Sequence, residues 1–365
     1  MKSRMLDFLE NNKWKLLLFY YHLVFIVFAY QLRVIRGISD AHFYWAQNFS
    51  IDNFSWWHYA HYGTDFILFI NYPFIQLGLP FWFGFLLYGI VGFFGVLKWI
   101  QWVELVVGQK IYYKGFNVLY LFFLFPSLHF WTANLGKEPL IFWGIAAVFY
   151  AVASANYKSF SFITGSLLLV IIRPHVALML LLAIGLVMVF QKRFSFKKRL
   201  ALALVGFSVF AALFYMVLQL TQIRYLDWKR IQYFNEFSIL SFRNSGTYVP
   251  MLDYNFANRF FAFNFRPLFF DAKSLLGFLA SIENALLLLI YLLTFVVLIV
   301  FYKKIIFPQW MKIAFLFALI ASLLYIQRYA NLGIFMRTKI MFQPFVLIAL
   351  FCIIKQGIAL RNYKS

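Results

Sequence analysis

Long apolar runs broken by short polar clusters dominate this chain. Along its 365 residues the runs fall at about 14–32, 80–97, 115–131, 139–156, 160–173, 175–190, 200–220, 275–301, 311–327 and 339–354. A helix crossing the hydrocarbon layer needs about 20 predominantly apolar residues, so the pattern predicts an all-α polytopic transmembrane bundle of about ten spans. The stretch 66–79 reads as a further re-entrant or interfacial helix. No repeat, low-complexity tract or linker divides the pattern, and 1–365 reads as a single transmembrane domain. Met1 to Lys15 is charged and leads into an apolar stretch with no small-residue cleavage site after it, which predicts an uncleaved first span.

Composition agrees with the pattern. The chain is 64% hydrophobic and 12% charged, with a mean hydropathy of +0.78, where soluble domains carry about 25% charged residues. Aromatic residues reach 23%, including 50 Phe, which suits lipid-facing helices and interfacial belts. The net charge of +21 does not indicate nucleic-acid binding. Its cations lie in short clusters between apolar runs, such as Gln191-Lys192-Arg193-Phe194-Ser195-Phe196-Lys197-Lys198-Arg199, where they set topology and meet anionic headgroups. One cysteine, Cys352, rules out an intramolecular disulfide or a cysteine-rich metal site.

Those clusters orient the bundle. With the N-terminus inside, ten crossings return the C-terminus to the cytoplasmic side. The segments then inside (the N-terminal stretch, 98–114, the turn at Lys158, 191–199, 302–312 and the tail) hold 19 of the 33 Lys+Arg but 3 of the 12 Asp+Glu. Most carboxylates therefore fall outside, together with two longer outer-face loops, 33–79 and 221–274. Chemistry is expected there, because the inner connections are too short to build a site.

The first outer loop begins Arg36-Gly37-Ile38-Ser39-Asp40-Ala41-His42-Phe43-Tyr44-Trp45. Asp40 can take a proton or hold a divalent cation, and Tyr44 lies one helical turn on; equally, Ser39 or Asp40 can simply start a helix. Asp52 and Asp65 follow, Asp65 at a second helix start. In Trp131-Thr132-Ala133-Asn134-Leu135-Gly136-Lys137-Glu138-Pro139, a glycine turn sets Lys137 and Glu138 at a helix N-terminus, which attracts anions. The plain alternative is two charges snorkelling at a boundary. Arg173-Pro174-His175 interrupts an apolar stretch, where an arginine is costly unless it faces a cavity or partner.

The second outer loop carries Arg224, Lys229, Arg230, Arg243, Arg259 and Arg266 with Asp227, Glu236, Asp253 and Asp271, among many aromatics and amides. Sugar binding uses such residues, and so does an interfacial helix. Glu283 lies within an apolar run, which marks a functional position unless Asn284 and a neighbouring arginine pair with it. Arg328, Arg337 and Lys339 have no acid beside them and make a positive field suited to phosphate or to lipid headgroups. No Walker-type loop, dinucleotide fingerprint, HExxH or GxSxG motif occurs, so nucleotide-driven chemistry on the inner face is disfavoured.

These residues resemble a family. Ser39-Asp40-Ala41-His42-Phe43-Tyr44 is similar to the first outer loop of GT-C-type glycosyltransferases, multi-span enzymes that use polyprenyl-phosphate-linked sugars at the outer membrane face. Gly136-Lys137-Glu138-Pro139, Arg173-Pro174-His175, Arg266-Pro267 with Glu283, and Asn331 to Pro344 with Arg337 are similar to membrane proteins of bacterial exopolysaccharide and O-antigen clusters. The resemblance implies Asp40 as catalytic base or metal ligand. It implies Lys137, Glu138, Arg173, His175, Arg266, Glu283, Arg328, Arg337 and Lys339 as the substrate- and phosphate-binding set. Many such enzymes place a second acid close to the first, where this chain has Ala41 and His42; a divalent cation is therefore not required by the pattern. The expected function is a glycosyltransferase or polysaccharide polymerase of the bacterial inner membrane, with a lipid-linked sugar and membrane lipids as partners. The alternative is a flippase of lipid-linked glycans, which would keep the cationic cavity but need no base. A purely structural membrane protein accounts for the topology but not for Arg173 or Glu283.

Overall fold

The computed structural model describes residues 2–37, 39–45, 55–108, 112–113, 116–191, 195–221 and 227–362. Asp52, Lys192, Arg193 and Arg224 lie outside the described residues. Within them the chain is helical apart from turns and a short antiparallel pair, Tyr112–Tyr113 with Phe116–Asn117. It folds as two compact units, Met1–Arg173 and Pro174–Ser365.

The first unit contains α1 (Lys2–Arg36), α2 (Asp40–Trp45), α3 (Thr64–Gln76), α4 (Phe81–Val107), α5 (Leu119–Phe123), α6 (Pro126–Thr132), α7 (Lys137–Ser154) and α8 (Phe160–Ile172). Its core lies along α4 and α7, where Phe85, Trp99, Trp102 and Phe142 are fully buried. At Gly92 of α4 a side-chain carbon would collide with the carbonyl oxygen of Thr132, so only glycine lets the two backbones meet.

The apolar run at 115–131 is not one helix. Pro126 drives Phe125 out of the helical region, to ψ 117°, and the run divides into α5 and α6. Together they pass along α1 in parallel: Tyr120 stacks on Trp14, Leu124 O accepts from Tyr21, Phe130 meets Phe28, and Asn134 beyond α6 accepts from Arg33. The broken segment thus covers the depth that α1 covers alone.

The second unit contains α9 (Pro174–Val189), α10 (Phe196–Thr221), α11 (Trp228–Leu240), α12 (Phe256–Phe265), α13 (Leu275–Phe301), α14 (Gln309–Tyr325), α15 (Leu332–Lys339) and α16 (Gln343–Asn362). Asp227, Asn255, Ser274 and Asn331 each accept a backbone N–H at the start of α11, α12, α13 and α15, as expected for such residues at helix N-caps. Phe263, Phe317, Phe335, Phe342 and Phe345 fill its core. Along α13 the residues Leu286, Leu289, Leu293 and Val296 are exposed, as are Leu204, Val205 and Phe207 on α10. Apolar faces this long suit lipid rather than water.

Among the described residues six helical segments are long and apolar enough to cross a membrane: Lys13–Arg36, Phe81–Val107, Lys137–Ser154, Phe196–Gln219, Leu275–Lys304 and Gln343–Asn362. The chain is therefore an all-helical protein with the character of a multi-pass membrane protein. The remaining apolar helices are shorter. At 1.5 Å per residue, the 13 residues of α8 reach only about 20 Å, against about 30 Å of hydrocarbon. Helix α3 occupies most of 66–79, the stretch expected as a re-entrant or interfacial helix, and α11 and α12 lie within the segment 221–274 expected as an outer loop.

Candidate functional site

Each unit gathers polar side chains. In the first they meet at one end, where α1 finishes and α7 begins. α2 starts at Asp40, as the helix-start reading expects; Asp40 itself is exposed, and Tyr44, one turn on, is buried. Gly136, at φ +144°, makes the turn into α7; a side chain there would press on the Tyr44 ring. Glycine alone accommodates both the dihedral and the ring.

Lys137 Nζ donates to Thr64 Oγ1 at 2.8 Å, tying the start of α7 to the start of α3. Glu138, buried in the first turn of α7, accepts from Arg173 Nη2 at 2.6 Å; the arginine side chain is 13% exposed. Gly63 N–H donates to Ile171 O at 2.8 Å, bringing the end of α8 to the same place. Behind Tyr44, Asn71 Nδ2 donates to its backbone oxygen at 2.8 Å and accepts from the Tyr88 hydroxyl at 2.9 Å. Asp65 is exposed in the first turn of α3, where the helix dipole favours a carboxylate. The structure thus brings Lys137, Glu138 and Arg173 together with the helix that Asp40 opens. Glu138 pairs with Arg173, and at the same end Lys137 donates to the Thr64 hydroxyl while Arg33 donates to the Asn134 side chain.

In the second unit Lys339 is fully enclosed at the end of α15. Its Nζ donates to Asn264 O at 3.1 Å, Arg266 O at 3.1 Å and Asn284 Oδ1 at 3.0 Å. Three acceptors match the three protons of an ammonium group. Asn284 Nδ2 donates in turn to Pro267 O at 2.9 Å, and Ser322 Oγ donates to Asn264 Oδ1 at 3.0 Å. Glu283 is buried and acts electrostatically on Lys339. The polar group beside Glu283 is therefore assembled by a lysine distant in sequence.

Arg266 forms a two-pronged pair with Asp271 and donates through Nη1 to the Tyr254 hydroxyl at 3.0 Å. Asp271 holds the guanidinium above its usual proton affinity, against the opposing effect of burial. Arg328 lies over the Phe234 ring at 4.3 Å, and its buried Nε has no hydrogen-bond partner among the described residues. Burial lowers its proton affinity, while Tyr329 and Tyr325 act the other way. Arg337 is half-buried, and His175 meets the Tyr325 ring edge-on at 6.3 Å.

Among the described residues no three His, Cys, Asp or Glu side chains gather as a metal site would. The sequence reading did not single out Thr64, Asn71, Arg33, Asn264 or Tyr254. Asn71 and Asn264 carry a usable signal, since each is an amide inside an apolar helix; Thr64 and Tyr254 carry none. No family model, curated protein or solved structure matches this chain.

Proposed function

We propose that the protein is a multi-pass membrane glycosyltransferase or polysaccharide polymerase that uses polyprenyl-phosphate-linked sugars at the outer face of the bacterial inner membrane. The reading is carried by one observation: the polar end of the first unit, where Thr64, Lys137, Glu138 and Arg173 meet the helix bearing Asp40 and Tyr44. Placing Arg36 and the start of α7 at the outer face puts this end at the membrane surface, where a lipid phosphate lies. Ten crossings then leave both termini cytoplasmic. The basic clusters favour the same orientation.

In this mechanism Asp40, solvent-exposed, takes the proton from an acceptor hydroxyl as that oxygen attacks the anomeric carbon. The bond from that carbon to the lipid phosphate breaks, and the bonding pair leaves on the phosphate oxygen. Lys137 stabilises the growing negative charge at the α7 N-terminus, where backbone N–H groups point the same way. Arg173, fixed by Glu138, orients this end rather than supplying a second full charge. In the second unit Arg266 and Lys339 are committed to structure by the contacts they make there.

Asp40→Asn tests the reading. Glycan product is expected to disappear while membrane expression is retained, and full activity in the variant sinks the assignment. Lipid-linked glycans in a strain lacking the gene separate this reading from its rival. Unextended precursor accumulating on the outer face is expected; precursor held on the inner face indicates a flippase instead.

A further inference from the structure

Away from that polar end, α1 and α6 bring two histidines into contact inside the first unit. His22 and His129 are both fully buried. His22 Nε2 lies 3.0 Å from Gly89 O, and His129 Nε2 lies 2.7 Å from Phe123 O. Carbonyl oxygens only accept, so each Nε2 must carry a hydrogen. The two Nδ1 atoms face each other at 2.9 Å.

Counting protons exposes the conflict. A neutral imidazole has one N–H, and here each ring has already placed it on Nε2. Two neutral rings would set two bare lone pairs against each other at hydrogen-bond distance. Turning either ring over removes the clash, but it also puts a carbon in place of the nitrogen on the carbonyl. One further proton satisfies every contact, as Nδ1–H on one ring donating to Nδ1 of the other.

The geometry points to a proton-binding site: His22 and His129 together hold one extra proton between their Nδ1 atoms. Burial of both rings opposes the charge, and the two backbone carbonyls on the Nε2 atoms act against that cost. Gly89 O and Phe123 O direct their negative ends at the two rings. The ring of Phe25 stacks with His129 at 6.0 Å, Tyr21 meets it edge-on at 4.9 Å, and Phe93 lies 5.5 Å from His22. Aromatic rings are good neighbours for such a charge. Among the described residues contacting the pair from α1, α4, α5 and α6, Tyr21 is the titratable one; its hydroxyl is turned to Leu124 O at 2.9 Å. A metal does not explain the contact, because two nitrogens on one ion at about 2.0–2.1 Å sit farther apart than 2.9 Å in tetrahedral geometry. The inference is independent of the transferase reading and survives its failure.

Nitrogen-15-labelled histidine in the full chain, in lipid nanodiscs at neutral pH, provides the test. The expected spectrum shows one pair of Nδ1 nitrogens coupled through a single far-downfield proton, with both Nε2 atoms protonated. In His129→Gln that signal disappears, and His22 returns to a neutral ring protonated at Nε2. Two separately neutral rings in the native protein overturn the proposal, as does the downfield signal surviving in the variant. If the variant does not fold, the native spectrum decides alone.

Discussion

The two units each bury a cation, and they do it by opposite means. In the first, Arg173 meets a full carboxylate, Glu138, from another helix. In the second, Lys339 meets two backbone carbonyls and an amide oxygen, with Glu283 acting at longer range. A matched ion pair cancels its charge between the two side chains that form it. A cage of dipoles solvates its charge without cancelling it, and so ties the cation to the backbone path of its own unit. The first arrangement therefore fits a neutral anchor at the polar end of its unit, and the second fits a structural keystone.

Removing one partner from each arrangement should expose that difference. The largest effect is expected for Glu138→Gln, which strands a partly buried guanidinium at a cost of about 3–5 kcal/mol. Adding Arg173→Met should recover most of the loss in denaturant unfolding of the detergent-solubilised protein. A double variant no more stable than the single one would break the contrast. Next comes Lys339→Met, in which stranded acceptors are offset by relief of a buried charge, for a net loss of about 1–3 kcal/mol. Here Glu283→Gln should not rescue, because the cage rather than the carboxylate does the holding.

A smaller loss of about 1–2 kcal/mol is expected for Arg266→Lys, since an ammonium cannot reproduce the two-pronged contact with Asp271 or reach Tyr254 as well. The smallest pair sharpens the comparison by showing no difference. Ser159→Ala in the first unit and Asn255→Ala in the second each remove an N-cap, and each should cost about 1 kcal/mol in thermal unfolding. Caps are local, so the two units should respond alike.

Much of the helix content was legible in the sequence because a run of apolar residues carries its own signal. All ten runs became helices, although Pro126 divided one and α8, α9 and α14 are short for a crossing. The turn at Gly136 and the helix starts marked by Asp40 and Asp65 were legible for the same local reason. The pairings were not. Glu138 and Arg173 are 35 residues apart, and each looked like an anion-site residue on its own. Lys339 read as part of a cationic field because the acceptors that enclose it are mostly backbone oxygens, which every residue possesses. His22 and His129 are 107 residues apart in apolar surroundings, where a single histidine says nothing about a second.

The contact at Gly92 has a consequence for how the protein is made. Helices that meet backbone to backbone gain little by leaving lipid; they gain by fitting one another once both are inserted. α4 leaves the ribosome before α6 and α7, so Gly92 waits through that interval for the backbone of Thr132. Roughly 50 residues separate the end of α4 from the end of α7, which at about 5–20 residues per second is a wait of roughly 3–10 s. Translation speed, rather than the intrinsic stability of any helix, sets how long the first unit stays open to mispairing in the membrane.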